Sequence, residues 1–229
     1  MQIEVLSTGA FRSALVQLAP GEKFVSESGA MYRASSNIDI DVTMRTRGKG
    51  GLLRAAKRLL GGESLFFSTY CANGNSPGEV GLAPTLPGEV REITLDGGGD
   101  WITAGGSYLG SGIDVEIDTQ FQGLKGFFTG ESIFFMVARG RGPLLVGAFG
   151  RMEEIVIDGT LTVDTSHLVA YEASLSYRVG KSSSSWTQSF LSGEGLAIHF
   201  EGRGRVLVQS HAANEFGRAL GPLLPERSS

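Results

Sequence analysis

The feature that most constrains this chain is an internal repeat made of two alternating motifs. The first motif opens with Gly-Glu and an apolar run. It reads Gly62-Glu63-Ser64-Leu65-Phe66-Phe67, Gly130-Glu131-Ser132-Ile133-Phe134-Phe135 and Gly193-Glu194-Gly195-Leu196-Ala197-Ile198. A Gly-containing turn and a second apolar run follow each time: Val80-Gly81-Leu82, Leu144-Leu145-Val146 and Val206-Leu207-Val208. The second motif ends in Tyr-x-Ala/Gly-Ser, at Tyr32–Ser35, Tyr108–Ser111 and Tyr171–Ser174. Its last two copies begin alike, at Glu92-Ile93-Thr94-Leu95-Asp96-Gly97 and Glu154-Ile155-Val156-Ile157-Asp158-Gly159, and the first begins near Val16. The second motif comes first and the two alternate strictly. Counted from the first motif, two units are contiguous, 62–118 and 130–179. The third is then completed by pairing 193–210 with 14–47, which predicts that the two ends of the chain lie side by side. Residues 1–211 read as a single globular β domain, and 212–229 as a C-terminal helix and tail.

The repeated element is β-structure. Ile38-Asp39-Ile40-Asp41-Val42 and Ile113-Asp114-Val115-Glu116-Ile117 alternate apolar and acidic residues, the period of a half-buried strand. Ile155-Val156-Ile157 and Ile133-Phe134-Phe135 are short continuous apolar runs, expected to be buried on both faces. Asn73-Gly74, Asp96-Gly97 and Asp158-Gly159 mark turns. Glycine supplies 34 of 229 residues, far above the usual ~7%, with no collagen period. Short strands with that many turns predict an all-β fold of sandwich-like units. One stretch departs from it. Leu52, Leu53, Ala56, Leu59 and Leu60 fall on one side of a helical wheel and Arg54, Lys57 and Arg58 on the other, predicting a short helix near 52–60. The tyrosines Tyr32, Tyr108 and Tyr171 recur with the units, which points to packing.

Tests for chemistry return little. Gly180-Lys181-Ser182 resembles the end of a phosphate loop, but Leu175 stands where that loop needs glycine. No Gly-x-Ser-x-Gly elbow is present. His167, His199 and His211 lack partners at metal-ligand spacing. Asp114, Glu116 and Asp118 place carboxylates together, a chemistry hard cations favour, though an acidic strand face is also ordinary solvated surface. Arg178 lies in the third copy near the places of Asp41 and Glu116, a hint of charge pairing between copies. Cys71 reads as a small packing residue, and a single cysteine forms no intramolecular disulfide. No catalytic, cofactor or metal residue is assigned. A net charge of −4 argues against nucleic acid as a partner. With no signal-peptide pattern and no spanning apolar run, a cytoplasmic location is expected.

The segment 45–60 is the one interaction device in the sequence. It carries Arg45, Arg47, Lys49, Arg54, Lys57 and Arg58 and no acid. Leu52, Leu53, Arg54, Lys57, Arg58, Leu59 and Leu60 would meet an anionic membrane surface or a partner protein; alternatively the segment caps an open end of the β core.

Gly61-Gly62-Glu63-Ser64-Leu65-Phe66-Phe67, the preceding Gly50-Gly51-Leu52-Leu53, the Pro87-Gly88-Glu89-Val90 turn and Ser28-Gly29-Ala30-Met31 resemble the altered-inheritance-of-mitochondria family, over about residues 3–215. The resemblance implies short double-stranded β-helix units like those of the tryptophan RNA-binding attenuation protein, assembled as a homotrimer. Eukaryotic members are mitochondrial and linked to inner-membrane organisation, and the family brings no catalytic residues with it. The function expected is a non-enzymatic homo-oligomeric scaffold or interaction protein, peripheral to membranes. The alternatives are a small-ligand or nucleic-acid binding module with pockets between repeats and, more remotely, a metal-dependent enzyme.

Overall fold

The structure is a computed structural model that describes residues 1–9, 11–43, 67–120, 135–181 and 196–225. The segment 45–60, and with it the expected helix and Leu52, Leu53, Arg54, Lys57, Arg58, Leu59 and Leu60, lies outside the described residues. Those residues form sixteen strands and one α-helix, the all-β class the turn pattern indicates.

The strands fall into three groups. The first begins with β1 (Gln2–Thr8), β2 (Phe11–Leu18), β3 (Lys23–Glu27), β4 (Met31–Ala34) and β5 (Ile38–Thr43) and ends with β6 (Phe67–Ala72) and β7 (Gly78–Leu82). β7 pairs with β2 and β4, β6 pairs with β3 and β5, and β1 adds to β2. In the second group β8 (Val90–Asp96), β9 (Trp101–Ala104), β10 (Tyr108–Gly112) and β11 (Val115–Gln120) all pair with one long strand, β12 (Phe135–Gly147). In the third, β13 (Met152–Asp164), β14 (Leu168–Glu172) and β15 (Ser176–Lys181) all pair with β16 (Leu196–Gln209).

The long strands depend on glycine where they change partners. β12 pairs with β9 and β11 up to Gly140, and with β8 and β10 in its second half. Gly140 has φ +107°, and a Cβ there would collide with the Asp114 carbonyl oxygen. Only glycine meets both conditions.

These ladders correct the expected division into units. Residues 196–209 pair with 152–181, and residues 11–43 pair with 67–82. Each group is contiguous, and the two chain ends do not complete one another. Strict alternation of two motifs is compatible with either phase. Local pairing avoids the entropy of closing a loop over most of the chain.

Three other expectations change. Val156 is 73% exposed, because β13 lies at the end of its sheet rather than inside it. Ile40 and Val42 in β5 are exposed, again at a sheet end. Asp114 sits in the turn before β11, so the acids do not form a three-rung ladder on one strand. The expected C-terminal helix is present as α1 (Ala213–Leu220), whose Phe216 ring meets Phe149 edge-on at 5.2 Å.

The tyrosine alignment is also corrected. Met31, Tyr108 and Leu168 oppose Leu82, Val146 and Val208. One residue is then skipped, and Arg33, Gly110 and Ala170 oppose Gly81, Leu145 and Leu207. By this register Tyr32 is a skipped residue, Tyr108 precedes the skip and Tyr171 follows it. The three tyrosines occupy different places: Tyr108 stands at the place of Met31 and Leu168, Tyr32 one residue beyond it and Tyr171 three beyond it.

Candidate functional site

The strand groups are joined twice in the same manner. β10 of the second group pairs with β3 of the first: Gly110 opposes Ser26, Ser111 opposes Val25, and Gly112 opposes Phe24. β14 of the third pairs with β9 of the second: Ala170 opposes Thr103, Tyr171 opposes Ile102, and Glu172 opposes Trp101. The corresponding residues of β10 and β14 meet the corresponding residues of β3 and β9.

Side chains follow the backbone. At the first joint the skipped residue Leu109 enters the core of the first group, where it packs in one cluster with Phe24, Tyr70, Val90 and Leu145. At the second joint Val169 enters the core of the second group, clustered with Trp101, Met136, Ala138, Met152 and Leu207. Val90 and Met152 hold matching positions, each just before the residue opposite Val146 or Val208. Leu109 is 2% exposed and Val169 0%. At ~25 cal/mol per Å² of apolar surface, each such knob stabilises its joint by about 2 kcal/mol.

Among the described residues the same places are open at the two ends of the series. At the first end, β4 pairs with β7 alone among the described strands. Its skipped residue, Tyr32, is 50% exposed. Gly81 stands in the place of Leu145 and Leu207, and Ser13 in the place of Val90 and Met152. The Tyr32 ring lies across Gly81, where a Cβ would collide with it, and its hydroxyl is 3.4 Å from Ser13 Oγ. Arg33 is held at the edge by Glu79 at 3.2 Å.

At the other end, β13 pairs with β16 alone among the described strands. Thr162 opposes His199 as Ser26 opposes Ser68 and Thr103 opposes Met136. Direct pairing puts Thr160, Glu201 and Ser176 in one row of a sheet face, and Thr162, His199 and Arg178 in the next. This face lines a groove of about 270 Å³. Thr162 Oγ1 and His199 Nδ1 are 2.9 Å apart across it. The opposite face carries Phe200 and Tyr177, packed with Tyr171 and Phe135. In the first two groups the row that matches Thr160 and Glu201 holds Phe24 with Tyr70 and Trp101 with Ala138, so this row is polar at the terminal face and apolar at the joints.

Other candidate chemistry resolves into structure. Among the described residues no group of three or more His, Cys, Asp or Glu could hold a metal ion. Asp118 faces Arg139 at 3.7 Å, and Arg139 also binds Asp100 at 2.8 Å. Those contacts, Asp100 first, push the Arg139 guanidinium pKa above its ordinary value. His167 Nδ1 donates to the Gln209 carbonyl at 2.7 Å. His211 Nδ1 lies 2.7 Å from Ser210 Oγ, with its ring against Phe149. Gly180 and Lys181 belong to strand β15, not to a loop leading into a helix. Arg178 pairs across to His199 and Asp41 to Thr69, so the two do not share a place. Cys71 is partly buried in β6.

A cavity lined by Val25, Phe67, Tyr108, Ser111 and Val115 lies between the first and second groups, with a volume of about 50 Å³. Ligand sites are usually ~300–1,000 Å³. Tyr108 forms part of its wall: its hydroxyl lies 3.0 Å from Ser111 Oγ and its ring meets Phe67 at 5.8 Å. Burial pushes the Tyr108 hydroxyl pKa well up, and the Tyr171 hydroxyl likewise.

Tyr32, Thr160, Thr162 and Arg178 were not singled out as a surface by sequence. The available signal was Gly81, which breaks the apolar run that Leu145 and Leu207 continue. No helix among the described residues is long and apolar enough to cross a membrane.

The chain is similar to known proteins along nearly its whole length. A crystal structure of a Streptococcus pyogenes protein superimposes with a TM-score of 0.80 at 27% identity, covering 97% of this chain and 99% of that one. An uncharacterised protein of Streptococcus pyogenes serotype M6 is 29% identical over 220 residues, 93% of this chain and 87% of the relative. Residues 3–211 match the mitochondrial biogenesis AIM24 family, and the chain belongs to that family.

Proposed function

We propose that this protein is a non-enzymatic scaffold that assembles as a homotrimer, each chain carrying three copies of one β unit. On this reading the units follow the plan of the tryptophan RNA-binding attenuation protein, and the segment 45–60 contacts an anionic membrane surface or a partner protein. The observation that carries the proposal is the repeated joint: β10 meets β3, and β14 meets β9, in one register. A surface used twice within a chain is suited to further units of the same kind, as in repeat proteins.

The test is size-exclusion chromatography with light scattering at micromolar concentration. A mass three times that of the 24.2 kDa chain is expected, and a monomer at all concentrations refutes the scaffold. For the membrane contact, the protein is floated with vesicles containing anionic lipid. The wild type is expected to float and the variant with Arg54, Lys57 and Arg58 changed to Gln to stay behind. A wild type that does not float removes the membrane from the proposal.

A further inference from the structure

We propose that chains associate head to tail, β4 of one copy pairing with β13 of the next and Tyr32 entering the groove lined by Thr160, Thr162, Arg178, His199 and Glu201. This deepens the scaffold reading and rests on it.

A joint made twice within the chain is continued between chains. At each internal joint, a strand with a skipped residue lies against an open strand edge, and the skipped side chain covers the adjoining sheet face. β4 has the skipped residue and, among the described residues, an edge with no strand against it. The Thr160–Val163 stretch of β13 has the matching edge, likewise unpaired among the described residues, beside the matching face. The pairing that continues the series sets Arg33 opposite Thr162, as Gly110 is opposite Ser26 and Ala170 opposite Thr103. Unpaired edges offer rows of backbone donors and acceptors that a second strand satisfies.

The chemistry of the two ends matches. The internal knobs, Leu109 and Val169, are apolar and meet apolar faces. The terminal knob is a tyrosine, apolar in the ring and polar at the hydroxyl, and its face offers hydroxyl, imidazole, guanidinium and carboxylate groups. Tyrosine is suited to such mixed surroundings, because its ring fills the groove while its hydroxyl hydrogen-bonds. Polar ends also explain how the free chain presents both surfaces to water before it associates. An interface between unlike surfaces closes into a ring or runs on as a filament, according to the rotation per copy.

The test uses two variants. Arg33 and Thr162 are both exposed, so Arg33→Cys with Thr162→Cys in a Cys71→Ser background is expected to fold. Mild oxidation should give a ladder of covalent dimers and trimers, which neither single-cysteine chain gives beyond dimer. Tyr32→Asp places a charge at an exposed position, leaves the circular dichroism spectrum unchanged and should weaken association at least tenfold by light scattering. An assembly that persists in Tyr32→Asp, with no ladder from the paired cysteines, overturns this interface and leaves the scaffold standing. A wild type that is monomeric overturns both.

Discussion

Leu109 and Tyr32 occupy one place in two strand groups, yet their truncation should cost very different amounts. Leu109 is 2% exposed, packed among Phe24, Tyr70 and Leu145. Leu109→Ala removes three buried carbons and leaves a cavity that close-packed neighbours fill only in part. Such changes cost about 2–5 kcal/mol, and full burial among rigid strands argues for about 3. At ~2–4 °C per kcal/mol for a chain this long, the melting temperature should fall by about 6–12 °C. Tyr32 is 50% exposed, with its ring resting on the bare backbone of Gly81. Tyr32→Ala forfeits that contact and the long 3.4 Å hydrogen bond to Ser13 Oγ, about 1 kcal/mol or less for a surface position. Urea unfolding followed by Trp fluorescence measures both, since Trp101 is buried in the adjoining core. The runs are made at two protein concentrations a hundredfold apart. The Leu109→Ala loss should be the same at both, as expected for an interaction within one chain. The Tyr32→Ala loss should grow with concentration, because only the wild type gains stability by association. Equal losses for the two variants at low concentration would refute the claim that the joint is closed at one place and open at the other.

Gly140→Ala combines a positive φ with a collision against the Asp114 carbonyl and should cost about 1–3 kcal/mol in the same assay. Arg139→Ala removes the ion pairs with Asp100 and Asp118, which are partly exposed, so a loss of about 1 kcal/mol or less that shrinks in high salt is expected from urea midpoints at two ionic strengths. The hydroxyls of Tyr108 and Tyr171 have raised folded-state pKa values, so their contribution is fully present below the unfolded tyrosine pKa of about 10 and is lost as pH rises beyond it. A spectrophotometric titration should therefore show at least these two ionising only as the fold melts in alkali. Early, reversible ionisation of every tyrosine would contradict their burial.

The sequence carried the strand class and the second apolar runs, because both depend on local pattern. The runs Val80–Leu82, Leu144–Val146 and Val206–Val208 do oppose the matching strands in one register, with the same residue skipped each time. What local pattern did not carry was phase and register. Alternating motifs do not say which neighbour each one pairs with, and the loop-closure entropy that decides it is a property of the whole chain. The tyrosines misled for a related reason: a shared Tyr-x-Ala/Gly-Ser ending does not fix register, and Tyr108, Tyr32 and Tyr171 fall at three different places relative to the skipped residue. Val156 was misread because an apolar run looks alike in a central strand and at the end of a sheet. The terminal groove was invisible because Thr160, Thr162 and His199 are ordinary residues until pairing lines them up.

The contrast between joints and ends bears on why the end surfaces differ in character from the joints. An internal joint is formed during folding and is never exposed to water afterwards, so apolar residues such as Leu145 and Leu207 stabilise it at no risk. A terminal surface exists free, at least while the chain is dilute. Leucine at position 81 would add an apolar side chain beside Tyr32, already 50% exposed, and invite pairing with any open strand edge. Glycine there, covered by an amphipathic tyrosine, lowers affinity and raises selectivity together. Gly81→Leu is therefore expected to displace the Tyr32 ring and to produce concentration-dependent association that Tyr32→Asp no longer reverses. Should Gly81→Leu leave the mass distribution unchanged by light scattering, position 81 does not tune the end surface, and the polar ends need another explanation.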